Sequence, residues 1–239
     1  KNRKPPMNKK VRLIDLGLCD YKRTWDYQEE LFSGIVAAKM RNRTEGTDTP
    51  TPGYLILVEH PHVYTLGRQG KEEHLLTDRK KLEDSGVSFY RIDRGGDITY
   101  HGPGQLVGYP ILDLDNFSPD IHLYMRRLEE TIIRTTGDFG INAGRSEDET
   151  GVWIDAGTPA ARKICAMGVR TSRWVTMHGF ALNVNTDLRY FSGIIPCGIR
   201  GKGVCSIKSE LGGRETDIEE VKKSVVRHFS DIFSAEIIS

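Results

Sequence analysis

Four thiols are the first candidates for chemistry in this sequence: Cys19, Cys165, Cys197 and Cys205. No C-x-x-C pair occurs among them, which argues against a zinc site or a disulfide framework and favours reduced thiols that can act as nucleophiles. Cys197 stands between Pro196 and Gly198, a setting typical of a fixed turn that leaves the thiol accessible. The Gly198 N–H can help to bind a developing oxyanion there. Cys19 is better interpreted as a small buried hydrophobic residue.

A lysine on an otherwise apolar strand is the second candidate. Residues 163–168 read Lys-Ile-Cys-Ala-Met-Gly. Strand alternation predicts Lys163, Cys165 and Met167 on one face, with Ile164 and Ala166 on the other. Lys163 is equally well interpreted as an acid/base group or as a strand-end lysine whose ammonium reaches solvent. Because Cys165 would share its face, the residues alone leave the choice between Cys165 and Cys197 open.

Residues 94–105, Arg-Gly-Gly-Asp-Ile-Thr-Tyr-His-Gly-Pro-Gly-Gln, form the third candidate. This density of glycine predicts neither a regular helix nor a strand, and it lets a backbone approach a ligand closely. The interleaved Arg94, His101 and Gln105 favour a binding loop over a simple hairpin connection. No Gly-Lys-Ser/Thr follows, so it is not a phosphate-binding P-loop. His60 and His62 have the spacing of a metal pair, but a loop role is preferred because no third ligand is evident.

Composition narrows the class of protein that carries these groups. The chain has 239 residues, 38% hydrophobic and 28% charged, with a net charge of +1. These values favour one soluble domain and give no electrostatic reason to expect nucleic acid or a membrane as a partner. No apolar run has transmembrane length, and the basic start is not followed by the apolar stretch of a secretory signal. We therefore expect a cytoplasmic protein with a flexible lead-in at residues 1–10, in which Met7 is a candidate start, and one catalytic domain at residues 11–239.

The apolar periodicity predicts the elements that must hold these groups. Strands are predicted over 11–18, 54–59, 87–92, 106–114, 152–155, 163–170 and 179–184, and helices over 21–40, 79–84 and 121–136, with a last helix after residue 216. A polar, mobile loop is expected over Arg41 to Pro52. Pro110 favours a sheet edge or a bulge for its strand. Thr216 and Glu219 have the spacing of a capping box. Without strict alternation of strands and helices, the class is α+β with a mixed sheet.

Five separated motifs resemble the lipoyl(octanoyl) transferases. They are the stretch from Arg94 to Pro110, Glu59-His60-Pro61 with Thr65-Leu66-Gly67, Lys163-Ile164 with Gly168-Val169-Arg170, His178-Gly179-Phe180-Ala181-Leu182-Asn183, and Pro196-Cys197-Gly198-Ile199. They occur in the order typical of that family. The resemblance implies a single α+β domain with the fold of biotin and lipoate ligases, in which helices flank a mixed sheet and a second small sheet is present.

The resemblance also implies a reaction. Octanoyl, or lipoyl, would pass from acyl carrier protein to a lysine of a lipoyl domain, as found in 2-oxoacid dehydrogenase complexes and in the H protein of glycine cleavage. Cys197 would carry the acyl thioester, and Lys163 would be its acid/base partner. The implied lining of the acyl pocket is Arg94, Gly95, Gly96, Asp97, Ile98, Thr99, Tyr100, His101, Ala166, Met167, Gly168, Gly179, Phe180 and Ala181.

The chemistry of these groups suits such a transfer. A thioester donor is already activated, so two half-reactions through one acyl-cysteine need no ATP, metal or other cofactor. The hypothesis for the apolar wall is Tyr100, His101, Ala166, Met167, Phe180 and Ala181. Cys165 and Cys205 depart from the residues usual in the family, and the polar loop from Arg41 to Pro52 is longer than usual. An ATP-dependent lipoate or biotin ligase and a non-catalytic module that binds an acyl carrier are the alternatives.

Overall fold

Residues 7–195 and 202–239 are described by the structure, a computed structural model. The strands are β1 (Lys10–Leu18), β2 (Gly53–Glu59), β3 (Val63–Leu66), β4 (Ser88–Arg91), β5 (Ile98–His101), β6 (Gln105–Ile111), β7 (Val152–Ile154), β8 (Arg162–Ser172), β9 (Val175–Asn183), β10 (Gly203–Val204) and β11 (Glu236–Ile238). The α-helices are α1 (Tyr21–Glu45), α2 (Arg79–Asp84), α3 (Ile121–Asp138), α4 (Ile207–Glu210) and α5 (Ile218–Phe233). Within these ranges no helix combines the length and the apolar character needed to cross a lipid bilayer.

The strands form a large mixed sheet and a small one. The large sheet has eight strands, in the order β10-β8-β9-β6-β2-β1-β11, with β7 added against β8. In it β1 is parallel to β2 and β11, whereas β6 is antiparallel to both of its neighbours. The small sheet has the order β4-β3-β5. The predicted α+β class, with a mixed sheet, flanking helices and a second small sheet, is confirmed.

Helices cover both faces of the large sheet, which explains why β2 is continuously apolar from Leu55 to Val58. Its Leu55 and Leu57 belong to the core cluster formed with α3 and α5. Its Ile56 and Val58 belong to the cluster formed with α1 through Phe32. Alternate side chains of one strand therefore stabilise two separate helical layers.

Helix α1 runs further than its apolar stripe predicts. It continues to Glu45 instead of ending at Met40, so only the last part of the predicted polar loop is irregular. Asp20 caps its start by accepting the N–H of Arg23, and Gly46 ends it with a positive φ of 66°. The last turns are solvent-exposed and polar, so the apolar periodicity gives no signal there.

Pro110 lies in the centre of the large sheet, so of the two expected settings, a sheet edge or a bulge, the edge is wrong. It pairs with Leu55 of β2, and on its other side the ladder between β6 and β9 stops at Gly108 and Phe180. The residue opposite Pro110 in this register is His178, which has a positive φ of 60° and donates its N–H to Gln28 of α1. A local gap in the ladder therefore accommodates the missing N–H of the proline.

A β-bulge in β8 changes which side chains share a face. Val152 pairs with Cys165 and Trp153 pairs with Lys163, so Ile164 is the extra residue. An extra residue shifts the alternation of a strand. Ile164 and Cys165 are consequently both 0% exposed in the core cluster with α3 and α5. The predicted placement of Cys165 on the face of Lys163 is therefore wrong.

Two further local predictions are wrong. The glycine-rich segment does contain a strand, because its glycines cluster at the two ends and leave Ile98–His101 free to pair with β3. The last helix is capped by Asp217, which accepts the N–H of Glu219, and not by Thr216. The backbone of Thr216 is instead held by two hydrogen bonds with the Asn185 side chain.

Candidate active site

A cavity of about 190 Å³ lies where β5, β6, β8 and β9 meet the glycine-rich segment. Its apolar wall comes from the central strands and consists of Val107, Ala166, Met167, Phe180 and Ala181. An elongated apolar group can be enclosed by such a wall, because each buried methylene contributes about 0.8 kcal/mol. The geometry therefore fits an acyl chain better than a polar metabolite.

The backbone of the glycine-rich segment lies directly on β8. Gly95 donates its N–H to the carbonyl of Val169 at 2.9 Å. A Cβ added to Gly168 would lie only 2.6 Å from the carbonyl oxygen of Gly95. The glycine of the Gly-Val-Arg motif thus allows the segment to form one side of the cavity.

Arg94 ties this segment to the small sheet. Its side chain is buried, and Nη2 donates to the carbonyl and the hydroxyl of Thr65 at 2.8 and 3.0 Å. Gly67 donates its N–H to the carbonyl of Asp97. The Thr-Leu-Gly and Arg-Gly-Gly-Asp motifs, separated in sequence, are therefore two halves of one wall.

Four buried polar rings near the cavity carry no net charge. His60 lies 2.8 Å from the Tyr109 hydroxyl, and burial lowers the pKa of His60 to about 4. Burial also lowers the pKa of His101 to about 3 and raises the pKa values of Tyr21 and Tyr109 above the ordinary tyrosine value. All four rings are neutral at pH 7, so they offer hydrogen bonds without adding charge to this region.

Lys163 lines another part of the cavity wall, beside Trp153 and Glu149. Its side chain is only 13% exposed, and Nζ lies 4.5 Å from the ring centroid of Trp153 and 3.9 Å from Oε2 of Glu149. Its backbone pairs with Val204 of β10, and its carbonyl accepts the N–H of Cys205. A lysine thus reaches the cavity from the bulged strand.

The predicted pocket residues come together with two exceptions. Those that line the cavity are Lys163, Arg94, Gly96, Asp97, Ile98, Thr99, His101, Ala166, Met167, Gly168, Gly179, Phe180 and Ala181. Gly95 does not line it, since it faces β8. Tyr100 does not line it either, because its ring is stacked against Tyr190 at 4.9 Å on the other face of β5.

Cys197 lies outside the described residues. On one side of its segment Phe191 lines the cavity, and on the other side Val204 does so. The two described residues that flank the segment are Ile195, whose N–H donates to the carbonyl of His74, and Lys202.

Several further residues line the cavity without having been predicted to do so from the sequence: Tyr21, Val107, Tyr109, Glu149, Thr150, Asn183, Phe191 and Val204. For Val107 and Tyr109 the alternation along β6 was an available signal. Glu149 gave no signal, because only the tertiary fold brings its loop to Lys163.

The two histidines of the H-x-H spacing point apart. His60 contacts Tyr109 and the carbonyl of Cys19, whereas His62 contacts the Tyr100 hydroxyl at 2.7 Å. Among the residues that the structure describes, no three histidine, cysteine, aspartate or glutamate side chains are grouped so as to hold a metal ion.

Known proteins resemble this chain in sequence and in fold. Residues 20–230 match the family described as the lipoyl protein ligase A/B catalytic domain. An octanoyltransferase of Flavobacterium johnsoniae is 64% identical, with 97% of this chain and 100% of that protein covered. An octanoyltransferase of Bacteroides fragilis is 52% identical, with 91% and 96% covered.

Solved structures support the fold alone. A bipartite lipoate protein ligase from Thermoplasma acidophilum has a TM-score of 0.68 at 18% identity, covering 98% of this chain and 88% of that one. A lipoate-protein ligase A bound with ATP has a TM-score of 0.65 at 18% identity, covering 98% and 90%. The fold, the site and the family match together place this chain in the class of lipoyl protein ligase A/B catalytic domains. Within that class, the chain belongs to the octanoyltransferase family.

Proposed function

We propose that this enzyme transfers an octanoyl group from acyl carrier protein to a lysine of lipoyl domains, through a thioester on Cys197 and with Lys163 as acid/base partner. The acceptors would be the lipoyl domains of 2-oxoacid dehydrogenase complexes and the H protein of glycine cleavage, in the cytoplasm. Relatives at 52–64% identity that are named octanoyltransferase support the reaction. Lipoate protein ligases with the same fold support the kind of acceptor.

One observation carries the assignment of Lys163. Its side chain is 13% exposed and lines an apolar cavity. The cavity is also lined by residues on both sides of the Cys197 segment, Phe191 and Val204. An ammonium in such a position can stabilise a thiolate as an ion pair and can exchange a proton with a leaving or attacking group.

Cys165 and Cys205 are unsuitable as nucleophiles, which supports Cys197 as the thiol that carries the acyl group. Cys165 and Cys205 are 0% and 2% exposed, and burial raises the pKa of each well above the ordinary thiol value. Since the thiolate is the nucleophile, neither group is competent near pH 7. Cys165 also belongs to the core cluster and not to the cavity wall.

In the first half-reaction the Cys197 thiolate attacks the carbonyl carbon of the donor thioester. The new carbon–sulfur bond forms while the bond to the carrier thiol breaks, and the leaving thiolate takes a proton from the Lys163 ammonium. In the second half-reaction the acceptor lysine nitrogen attacks the acyl-cysteine. Lys163 then accepts the proton from the amine, and the Cys197 thiolate leaves. The scheme is ping-pong and consumes no nucleotide.

Mass spectrometry of the intact protein after mixing with octanoyl carrier protein tests this proposal. We expect a covalent octanoyl adduct on the wild-type enzyme and none on Cys197→Ser, because the thioester requires that thiol. Lys163→Ala should form the adduct much more slowly. Cys19→Ser is the matched thiol control, and its adduct should equal that of the wild type.

Two outcomes would overturn parts of the proposal. An adduct of undiminished yield on Cys197→Ser would exclude Cys197 as the carrier of the acyl group. ATP-dependent release of pyrophosphate with free octanoate, without transfer from octanoyl carrier protein, would instead identify a ligase.

A further inference from the structure

The loop before β7 places a carboxylate against the two lysines at the mouth of the cavity. Glu149 lines the cavity and is itself only 13% exposed. Its Oε2 lies 3.9 Å from Nζ of Lys163, and its Oε1 accepts a short hydrogen bond from Nζ of Lys202. A carboxylate with this degree of burial is expensive to desolvate unless cations accompany it.

The Trp153 ring contacts the ammonium groups of both Lys163 and Lys202. Nζ of Lys163 and Nζ of Lys202 lie 4.5 and 5.2 Å from its ring centroid, within the range of cation–π attraction. The indole thus limits how far either lysine can move away from the carboxylate. This arrangement differs from exposed pairs such as Lys71 with Glu73, whose side chains are 69% and 72% exposed.

A buried carboxylate of α3 fixes the loop that carries Glu149. Glu129 is 1% exposed and accepts the N–H of Gly151 at 3.1 Å, while Arg126 and Arg145 balance its charge. Gly151 has a φ of +113°, and a Cβ there would lie 2.6 Å from the carbonyl oxygen of Cys165. The loop is therefore held tightly against β8, two residues after Glu149.

The charged and titratable groups around Lys163 come from the loop before β7, from the residue that precedes β10, and from β8 and α3. Glu149 comes from the loop before β7, and Lys202 precedes β10. The Cys165 thiol comes from β8 itself, and its pKa responds to Lys163 and to Glu129 of α3. Glu149 forms an ion pair with Lys163.

We propose that Glu149 is a positioning residue of the transfer reaction, which holds the Lys163 side chain as an ammonium against Trp153 at the mouth of the cavity. This inference rests on the proposed role of Lys163. Glu149 does not touch the reacting atoms; it sets where the Lys163 ammonium stands. The first half-reaction benefits most, because the leaving carrier thiolate then meets a proton donor already in place.

Glu149→Gln tests the proposal, with Glu149→Asp as the conservative variant and Glu147→Gln as the matched control. Glu147 lies in the same loop and is exposed. Steady-state transfer from octanoyl carrier protein is measured, and thermal unfolding is followed by circular dichroism. We expect Glu149→Gln to lower kcat with little change in the KM for the donor, because a neutral amide holds the Lys163 ammonium less firmly in place.

A purely structural role would lower the melting temperature and would change the KM for the donor together with kcat. We expect Glu149→Asp to restore part of kcat, and Glu147→Gln to behave as the wild type. A kcat of Glu149→Gln equal to that of the wild type would overturn the proposal. Reproduction of the full effect by Lys202→Gln would also overturn it, because Glu149 would then act through Lys202.

Lys163→Ala in the same series separates the two claims. If it transfers as fast as the wild type, the proposed function of Lys163 fails. If it is inactive while Glu149→Gln retains the wild-type rate, only the inference about Glu149 fails.

Discussion

Gly168→Ala is the most informative test of how the cavity is built, because one methyl group would separate two of its walls. The new Cβ would lie 2.6 Å from the carbonyl oxygen of Gly95 and 3.2 Å from Cδ of Arg94, whereas ordinary contact begins at 3.4 Å. The obstructing atom is backbone, so a change of side-chain rotamer cannot relieve the contact. The segment that begins at Arg94 must move away from β8.

The size of the effect follows from this geometry. Overpacking of this kind costs about 1–3 kcal/mol in the free energy of unfolding. For a chain of this length each kcal/mol lowers Tm by about 2–4 °C. Transfer should fall as well, because Arg94, Gly96 and Asp97 line the cavity from the displaced segment. Thermal unfolding and octanoyl transfer from carrier protein measure the two effects.

Gly34→Ala provides the matched control. Gly34 is exposed within α1, and a Cβ there meets nothing within 4 Å. The free energy of unfolding should rise by about 0.5–1 kcal/mol, since alanine is favoured over glycine inside a helix. If Gly168→Ala kept both the Tm and the transfer rate of the wild type, the tight contact between the glycine-rich segment and β8 would be refuted.

Three further predictions concern the cavity wall, acid stability and the loop of the lysine pair. Ala166→Trp should abolish octanoyl transfer while the circular dichroism spectrum stays that of a folded protein, because the indole fills the cavity; normal transfer would contradict the wall. The folded pKa of His60, about 4, lies below its unfolded value, so the unfolded state binds more protons between these values and stability falls as the pH drops. The loss from His60 between pH 7 and pH 5 is about 2 kcal/mol, and urea unfolding of His60→Gln should give a correspondingly flatter pH dependence. Glu129→Gln should lower the free energy of unfolding by about 1–3 kcal/mol and reduce transfer, since the N–H of Gly151 loses a charged acceptor; unchanged unfolding and transfer would contradict the anchoring role.

The sequence predicted local order well because that order depends on neighbouring residues. Apolar alternation gave most of the central strands, and the 3.6-residue period gave α3 and α5. Predictions failed where a distant contact decides the outcome. Asn185 holds Thr216 and moves the helix cap to Asp217. The gap opposite His178 accommodates Pro110 inside the sheet.

The candidate site shows the same division. A sequence motif predicts cavity residues that are close together in the chain, such as Phe180 and Ala181, because they lie on the same strand. Glu149 and Tyr21 could not be predicted, since neither has a pattern that relates it to β8 or β9. The bulge at Ile164 depends on pairing between two strands, so regular alternation assigned Cys165 to the wrong face.

The bulge at Ile164 has a consequence for the chemical fidelity of an acyl-enzyme. Thiols near one another exchange acyl groups, and an acyl group that migrated onto a wrong sulfur would leave the enzyme trapped. By one inserted residue, β8 turns the Cys165 sulfur into the hydrocarbon core while the lysine two positions earlier remains at the cavity. Under the proposed mechanism the bulge thus insulates a second thiol from the reaction. It also protects that thiol from oxidants and alkylating reagents that can enter the cavity.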